Sequence, residues 1–310
     1  MPVKLDRCIP LVILCVCRFL EDRQGLDETL ANLHAAPFTI ARPARQSVPF
    51  VFASPHSGRL YPHSFIAHSR LTSLSLRRSE DAFVDELFSG VTELGAPLIA
   101  ARFPRAYLDV NRAPQEIDAA MFEGALPVSP DSTPRVAAGL GVIPRIVRDG
   151  AEIYRGKLAA AEIAERLTHL YRPYHDALAQ LINETRARFG TCVLIDCHSM
   201  PSAAAVPDIV LGDRYGTSAS AALMREAEHA FASHGFSVVR NAPYAGGYTT
   251  FLHGKSDGPV QALQVEINRG LYLDEERVMR SPRFGDIAMR LARALRDLTA
   301  FAEPTRLAAE

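Results

Sequence analysis

No excess of charge marks this chain of 310 residues: 34 Lys and Arg stand against 35 Asp and Glu, for a net charge of −1. Without a basic surface, nothing recruits a polyanion, and nucleic acid is not an expected partner. A disulfide framework is missing too. The cysteines are Cys8, Cys15, Cys17, Cys192 and Cys197, an odd number in a long chain, so a reducing cytoplasm is the expected setting. The chain also lacks a run of the roughly 20 apolar residues that would cross a bilayer. Its nearest approach, "CIPLVILCVC", ends at Arg18, and no small-residue cleavage site follows as a signal peptide would require. Residues 1–36 therefore read as a poorly defined extension, and no membrane is expected as a partner. Internal repeats are absent. So are G-x-S-x-G, C-x-x-C and H-E-x-x-H, which removes the usual signatures of an exposed serine nucleophile, a thiol pair and a helical zinc motif.

What the chain does have is apolar content, 48% of its residues, enough for a large core. Strand-like runs occur at 48–54, 97–103, 191–197, 207–213, 236–244 and 259–270. Helical spacing covers 80–95, 154–189 (interrupted near Pro173), 218–235 and 285–303. Residues 113–150, rich in Pro and Gly, read as an irregular insertion or lid. Alternation of strands and helices predicts an α/β fold over 37–310: one domain with a central mixed sheet covered by helices on both faces.

Three strands carry polar groups where an apolar run ends. One leads into Ser54, Pro55, His56 and Ser57, another into Asp196, Cys197, His198 and Ser199, and the last holds Glu266, Asn268 and Arg269. In open α/β sheets ligands sit beyond the carboxyl ends of strands. Two histidines with a carboxylate, such as one of the pair Glu80 and Asp81 that opens a predicted helix, would make a three-ligand zinc site with an open position. A further carboxylate could serve as its base. The plain alternatives are histidines hydrogen-bonded in loops, acids favouring a helix dipole, and Glu266 paired with an arginine. Ser57 and Ser199 follow histidines but lie in no nucleophile elbow, and Cys192 and Cys197 read as core.

Taken together, "SPHSGRLYP", "SEDAFVDELF", "LDVNRAP", "LIDCHSMP", "DIVLGDRYG", "NAPYAGGYTT" and "LQVEINRGLYLD" resemble the N-formylglutamate amidohydrolase family over about residues 45–300. The resemblance implies a carboxypeptidase-like (phosphorylase/hydrolase-like) α/β fold. It implies one zinc ion per chain and cleavage of N-formyl-L-glutamate to formate and L-glutamate, in histidine degradation. Carried over by motif, His56, Asp81 and His198 would be ligands, with Asp81 preferred to Glu80, and Glu266 would be the catalytic base.

Such a substrate has two carboxylates, which guanidinium groups bind in two-pronged fashion. The resemblance makes the adjacent pair Asn111 and Arg112 the leading anchor. Arg105, Arg269, Tyr248 and Thr249 are further candidates. Two other readings stand beside this one: a deacylase of another N-acyl amino acid, and a non-catalytic metal- or ligand-binding relative.

Overall fold

A computed structural model of the chain describes residues 27–147, 150–203 and 206–301. Seven strands form the central sheet: β1 (Phe38–Ala41), β2 (Phe50–Ser54), β3 (Leu98–Ala101), β4 (Cys192–Met200), β5 (Ile209–Gly212), β6 (Val238–Arg240) and β7 (Val260–Asn268). Their spatial order is β1-β3-β2-β4-β7-β5-β6. β3, β2, β4 and β7 run parallel to one another. β1 is antiparallel at one edge, and β5, antiparallel to β7, pairs in parallel with β6 at the other. The helices used below are α1 (Glu28–Ala35), α2 (Arg172–Phe189), α3 (Ala221–Ser233), α4 (Tyr248–His253) and α5 (Phe284–Ala300). This mixed sheet between helices is the fold class that the alternation of patterns predicts.

β2 and β4 are buried along their whole length, so they read in the sequence as continuous apolar runs. Successive residues of a strand serve opposite faces. Val51, Ala53, Leu194 and Ala262 pack in one core with Tyr174, Leu178 and Leu181 of α2. Phe50, Phe52, Ile195 and Val265 pack in a second core with Leu223 and Phe231 of α3 and Leu291 and Leu295 of α5. The buried positions of α5, namely Ile287, Leu291, Ala294, Leu295 and Leu298, recur at helical period. α2 ends where Gly190, at φ +76°, supplies the left-handed cap.

Local departures from the sequence pattern have physical causes. The helical spacing at 80–95 yields only a turn of α-helix (Val84–Leu87) and a 3-10 segment (Ser89–Thr92). Phe83 sits at φ +63°, which breaks the helix on its amino side. Asp81 is instead drawn to the strands, its N–H donating to the His56 carbonyl at 3.0 Å. At Pro173, which has no N–H, the helix continues by widening into a π segment (Leu167–Tyr171) just before it. Residues 154–160, included in that helical reading, lie outside it. The stretch around Tyr248, which shows neither a strand nor a helix pattern, forms the short helix α4.

Residues 1–26, including the apolar "CIPLVILCVC", lie outside the described residues. The remainder of the stretch read as an extension contains α1, whose Leu33 is fully buried in the core. Asp27 caps α1 through Leu30 N–H (3.0 Å) and accepts from both the backbone N–H and the hydroxyl of Ser64 (2.8 and 2.7 Å). A protein cut to begin at Pro37 is therefore expected to melt at lower temperature than one beginning at Asp27, and Leu33→Ala is expected to cost about 2–5 kcal/mol. Denaturant unfolding of these variants checks both. No helix among the described residues is long and apolar enough to cross a membrane.

Candidate active site

The site lies at the carboxyl ends of β2, β4 and β7. Register does much of the assembly: His198 is paired with Glu266, and Asp196 with Gln264. By strand alternation these four share the face of Leu194 and Ala262, beyond the part of it that α2 covers. His56 follows the end of β2 directly, and Asp81 enters from the broken helix.

His56, Asp81 and His198 are all buried, and one ligand atom from each lies within 4.8 Å of the others. Both histidines turn Nδ1 toward Asp81 Oδ2, at 3.3 Å from His56 and 3.0 Å from His198. Each presents Nε2 to a second carboxylate: His56 to Asp109 at 2.7 Å and His198 to Asp196 at 2.9 Å. That is the arrangement by which carboxylates orient metal-binding imidazoles and raise their basicity. His56 Nδ1 is buried with no hydrogen-bond partner, and an orphaned nitrogen of this kind is costly unless something binds it. Two nitrogens and a carboxylate oxygen form a donor set suited to zinc or a similar divalent ion. The residues present thus fit a metal.

The electrostatics agree. Burial acts against charge on Asp81, but the hydrogen bond from His198 and the close approach of His56, with the charges of His56 and Arg269, hold its carboxyl well below the usual range. Burial likewise opposes charge on Asp109, and His56, Arg105 and Arg112 overcome it. Burial works against a proton on His198, yet Asp196 and Asp81 raise its pKa well above the ordinary value. A field that favours a proton there also favours a metal cation. Glu266 differs: burial pushes its carboxyl up to about 7, and Gln264 donates to Oε1 at 2.8 Å.

The structure distinguishes the two neighbouring acids. Glu80 accepts from Tyr61 Oη (2.7 Å) and Arg77 Nε (3.0 Å), whereas Asp81 meets the histidines. Arg269 does not reach into the cleft as a free group. Its Nη2 donates to Asp81 Oδ1 at 2.8 Å and its Nε to Ser199 Oγ at 3.0 Å, so it positions the carboxylate. Asn111 is similarly engaged, its Nδ2 lying 3.3 Å from Asp196 Oδ2 and 3.1 Å from His198 Nε2, while its Oδ1 accepts from Thr249 N–H at 2.8 Å. A Cβ on Gly247 would lie 2.3 Å from Asn111 Nδ2, so this close approach requires glycine.

The cleft has two lobes, of about 300 and 260 Å³, which share Arg105, Arg112, Tyr244 and Glu266. One lobe reaches Asp81, Ser199 and the apolar Leu140, Pro144 and Ile146. The other reaches His56, His198, Arg135 and Gly247. Residues of the irregular insertion thus wall both lobes. Tyr248 and Thr249 are not among the lining residues: the Thr249 N–H holds Asn111, and the Tyr248 ring packs edge-on to His175 of α2. Asp109, Asp196, Gln264, Tyr244 and Arg135 were given no role by the sequence reading. Only Asp196 carried a signal, since in "DCH" it shares a strand face with His198.

A family model for N-formylglutamate amidohydrolase matches residues 48–273. The chain is 29% identical over 242 residues to an N-formylglutamate deformylase of Pseudomonas aeruginosa, covering 75% of this chain and 85% of that relative. It is 26% identical over 237 residues to an N-formylglutamate deformylase of Pseudomonas putida, covering 74% and 83%. The crystal structure of an N-formylglutamate amidohydrolase from Ralstonia eutropha matches with a TM-score of 0.79 at 36% identity, over 85% of this chain and 96% of that one.

Proposed function

Because the chain belongs to the N-formylglutamate amidohydrolase family, hydrolases of a linear amide, we propose that it cleaves N-formyl-L-glutamate to formate and L-glutamate, with zinc held by His56, Asp81 and His198. The reaction would belong to histidine degradation, in the cytoplasm. One observation carries the metal assignment: three buried ligand atoms converge, one of them the unpartnered Nδ1 of His56, on a cleft lined by Glu266.

Zinc at this position would supply Lewis acidity toward the formyl carbonyl and toward water. The chain's own groups do the rest. With Nδ1 of each histidine given to a ligand bond, Nε2 carries the proton and donates to Asp109 or Asp196, which fixes tautomer and ring orientation. Arg269 keeps Asp81 in place through Oδ1 and leaves Oδ2 toward the histidines. Glu266 takes a proton from the attacking water and returns it to the amide nitrogen as the bond to carbon breaks. A carboxyl raised to about 7 is suited to both transfers near neutral pH. Arg105 and Arg112, which line both lobes, are placed to meet a carboxylate of the substrate.

The test is formate release by purified protein, measured beside its metal content, with N-formyl-, N-acetyl- and N-succinyl-glutamate in parallel. About one zinc per chain and the highest kcat/KM on the N-formyl substrate are expected. A fully metal-loaded protein that prefers another acyl group would move the assignment to a different deacylase, and one that hydrolyses none would leave a binding protein.

A further inference from the structure

We propose that Arg135 is a specificity-determining residue that grips the side-chain carboxylate of a dicarboxylic N-acyl amino acid. The inference rests on the hydrolase reading above and goes beyond it by assigning the second carboxylate. Of the arginines lining the two lobes, most are engaged. Arg269 is held by Asp81 and Ser199. Arg105 donates to Asp109 at 2.8 Å. Arg112 donates to the carbonyls of Leu140 and Asn111, at 3.0 and 2.9 Å, and Arg78 has a partner as well. Arg135 is exposed, and among the described residues its guanidinium enters no hydrogen bond or ion pair, although it lines the lobe that holds His56, His198 and Glu266.

Its carrier is anchored. Arg135 lies on the short helix Pro134–Ala137, whose Val136 is buried and whose cap, Thr133, donates to Glu116 Oε1 at 3.0 Å. Glu116 Oε2 in turn accepts from the N–H of Ala113 at 3.0 Å. One carboxylate therefore ties the helix bearing Arg135 to the loop bearing Arg112. The charge balance points the same way. Five arginines line the lobes (Arg78, Arg105, Arg112, Arg135 and Arg269) against three carboxylates (Asp81, Asp109 and Glu266). The lining is therefore net positive even before a metal ion is counted, which suits an anionic substrate. The proximity of Arg105 and Arg135 also works against charge on Arg112, behind burial as the main cause, a repulsion that a bound anion would relieve. An α-carboxylate lies close to the scissile amide and so falls to Arg105 and Arg112 beside Glu266. The side-chain carboxylate, farther along the substrate, is left to Arg135.

The experiment compares kcat/KM for N-formyl-L-glutamate and N-formyl-L-glutamine, which differ only in that side-chain group, in the zinc-loaded protein and in Arg135→Gln and Arg135→Lys. Arg135→Gln is expected to lose about ten- to a hundredfold on N-formylglutamate, mainly through KM, and to lose much less on N-formylglutamine, whose neutral amide accepts more weakly. Arg135→Lys should recover part of the loss, since it keeps the charge without the fork. Equal losses on both substrates, or none on N-formylglutamate, would overturn the role of Arg135 while leaving the hydrolase reading intact. Absence of formate release from either substrate by the unaltered protein would overturn that reading and Arg135's role with it.

Discussion

Glu266→Gln is expected to slow formate release by about 10²- to 10⁴-fold, while metal content stays near that of the unaltered protein. The side chain keeps its shape, and its oxygen can still accept from Gln264, which now reaches Glu266 Oε1 at 2.8 Å. What disappears is the ability to take a proton. The variant also removes an ionisable group from a buried position, where charge is costly, so its melting temperature should not fall. Formate release, metal content and melting measured on one preparation separate the possible roles. Near-normal turnover would remove Glu266 from the chemistry, loss of metal would make it a ligand, and a large drop in melting temperature would make it structural.

His198→Ala should empty the metal site and reduce turnover to background. It deletes the imidazole whose Nδ1 meets Asp81 and whose Nε2 meets Asp196. Two buried carboxylates then lose a partner, and breaking a buried pair costs about 3–5 kcal/mol, so this variant should also melt lower. Metal stoichiometry by atomic spectroscopy on the folded fraction is the decisive measurement. Retention of full metal by folded His198→Ala would refute the ligand set. The contrast with Glu266→Gln is the useful part, because one change would stop turnover with the metal in place and the other by removing it.

How much of this could be read without coordinates varied with the range of the interaction. The strands were legible because burial on both faces makes β2 and β4 continuously apolar. α5 was legible because its buried residues keep helical period. The helix expected at 80–95 was misread because a period cannot reveal that Phe83 adopts a left-handed backbone, a cost accepted where Asp81 is pulled toward two histidines. The choice between Glu80 and Asp81 was equally hidden, since adjacent acids differ only in direction. The sequence places His56, Asp81, His198 and Glu266 far apart, and family motifs rather than spacing linked them. The groups that orient them stayed out of sight. Asp109 and Asn111 sit beside Arg112 in "LDVNRAP", yet nothing local indicates that Asp109 faces His56 or that Asn111 bridges to Thr249. Arg269 is hidden for the same reason: it looks like any free cation until its contacts with Asp81 and Ser199 are seen.

The pairing of His198 with Glu266 across adjacent strands has a consequence for how such a protein can diversify. The separation between the proposed ligand and the proposed base is fixed by the hydrogen-bond ladder of two interior strands, about 4.8 Å in the pairing direction, and not by any loop. Residues that line the rest of the cleft, among them Arg112, Arg135, Leu140 and Ile146, come from outside the sheet. Insertions, deletions and substitutions there can reshape the choice of acyl amino acid without altering the distance on which proton transfer depends. On the proposed roles, bond cleavage is tied to the interior strands and selectivity to segments outside the sheet, so the two can drift at different rates.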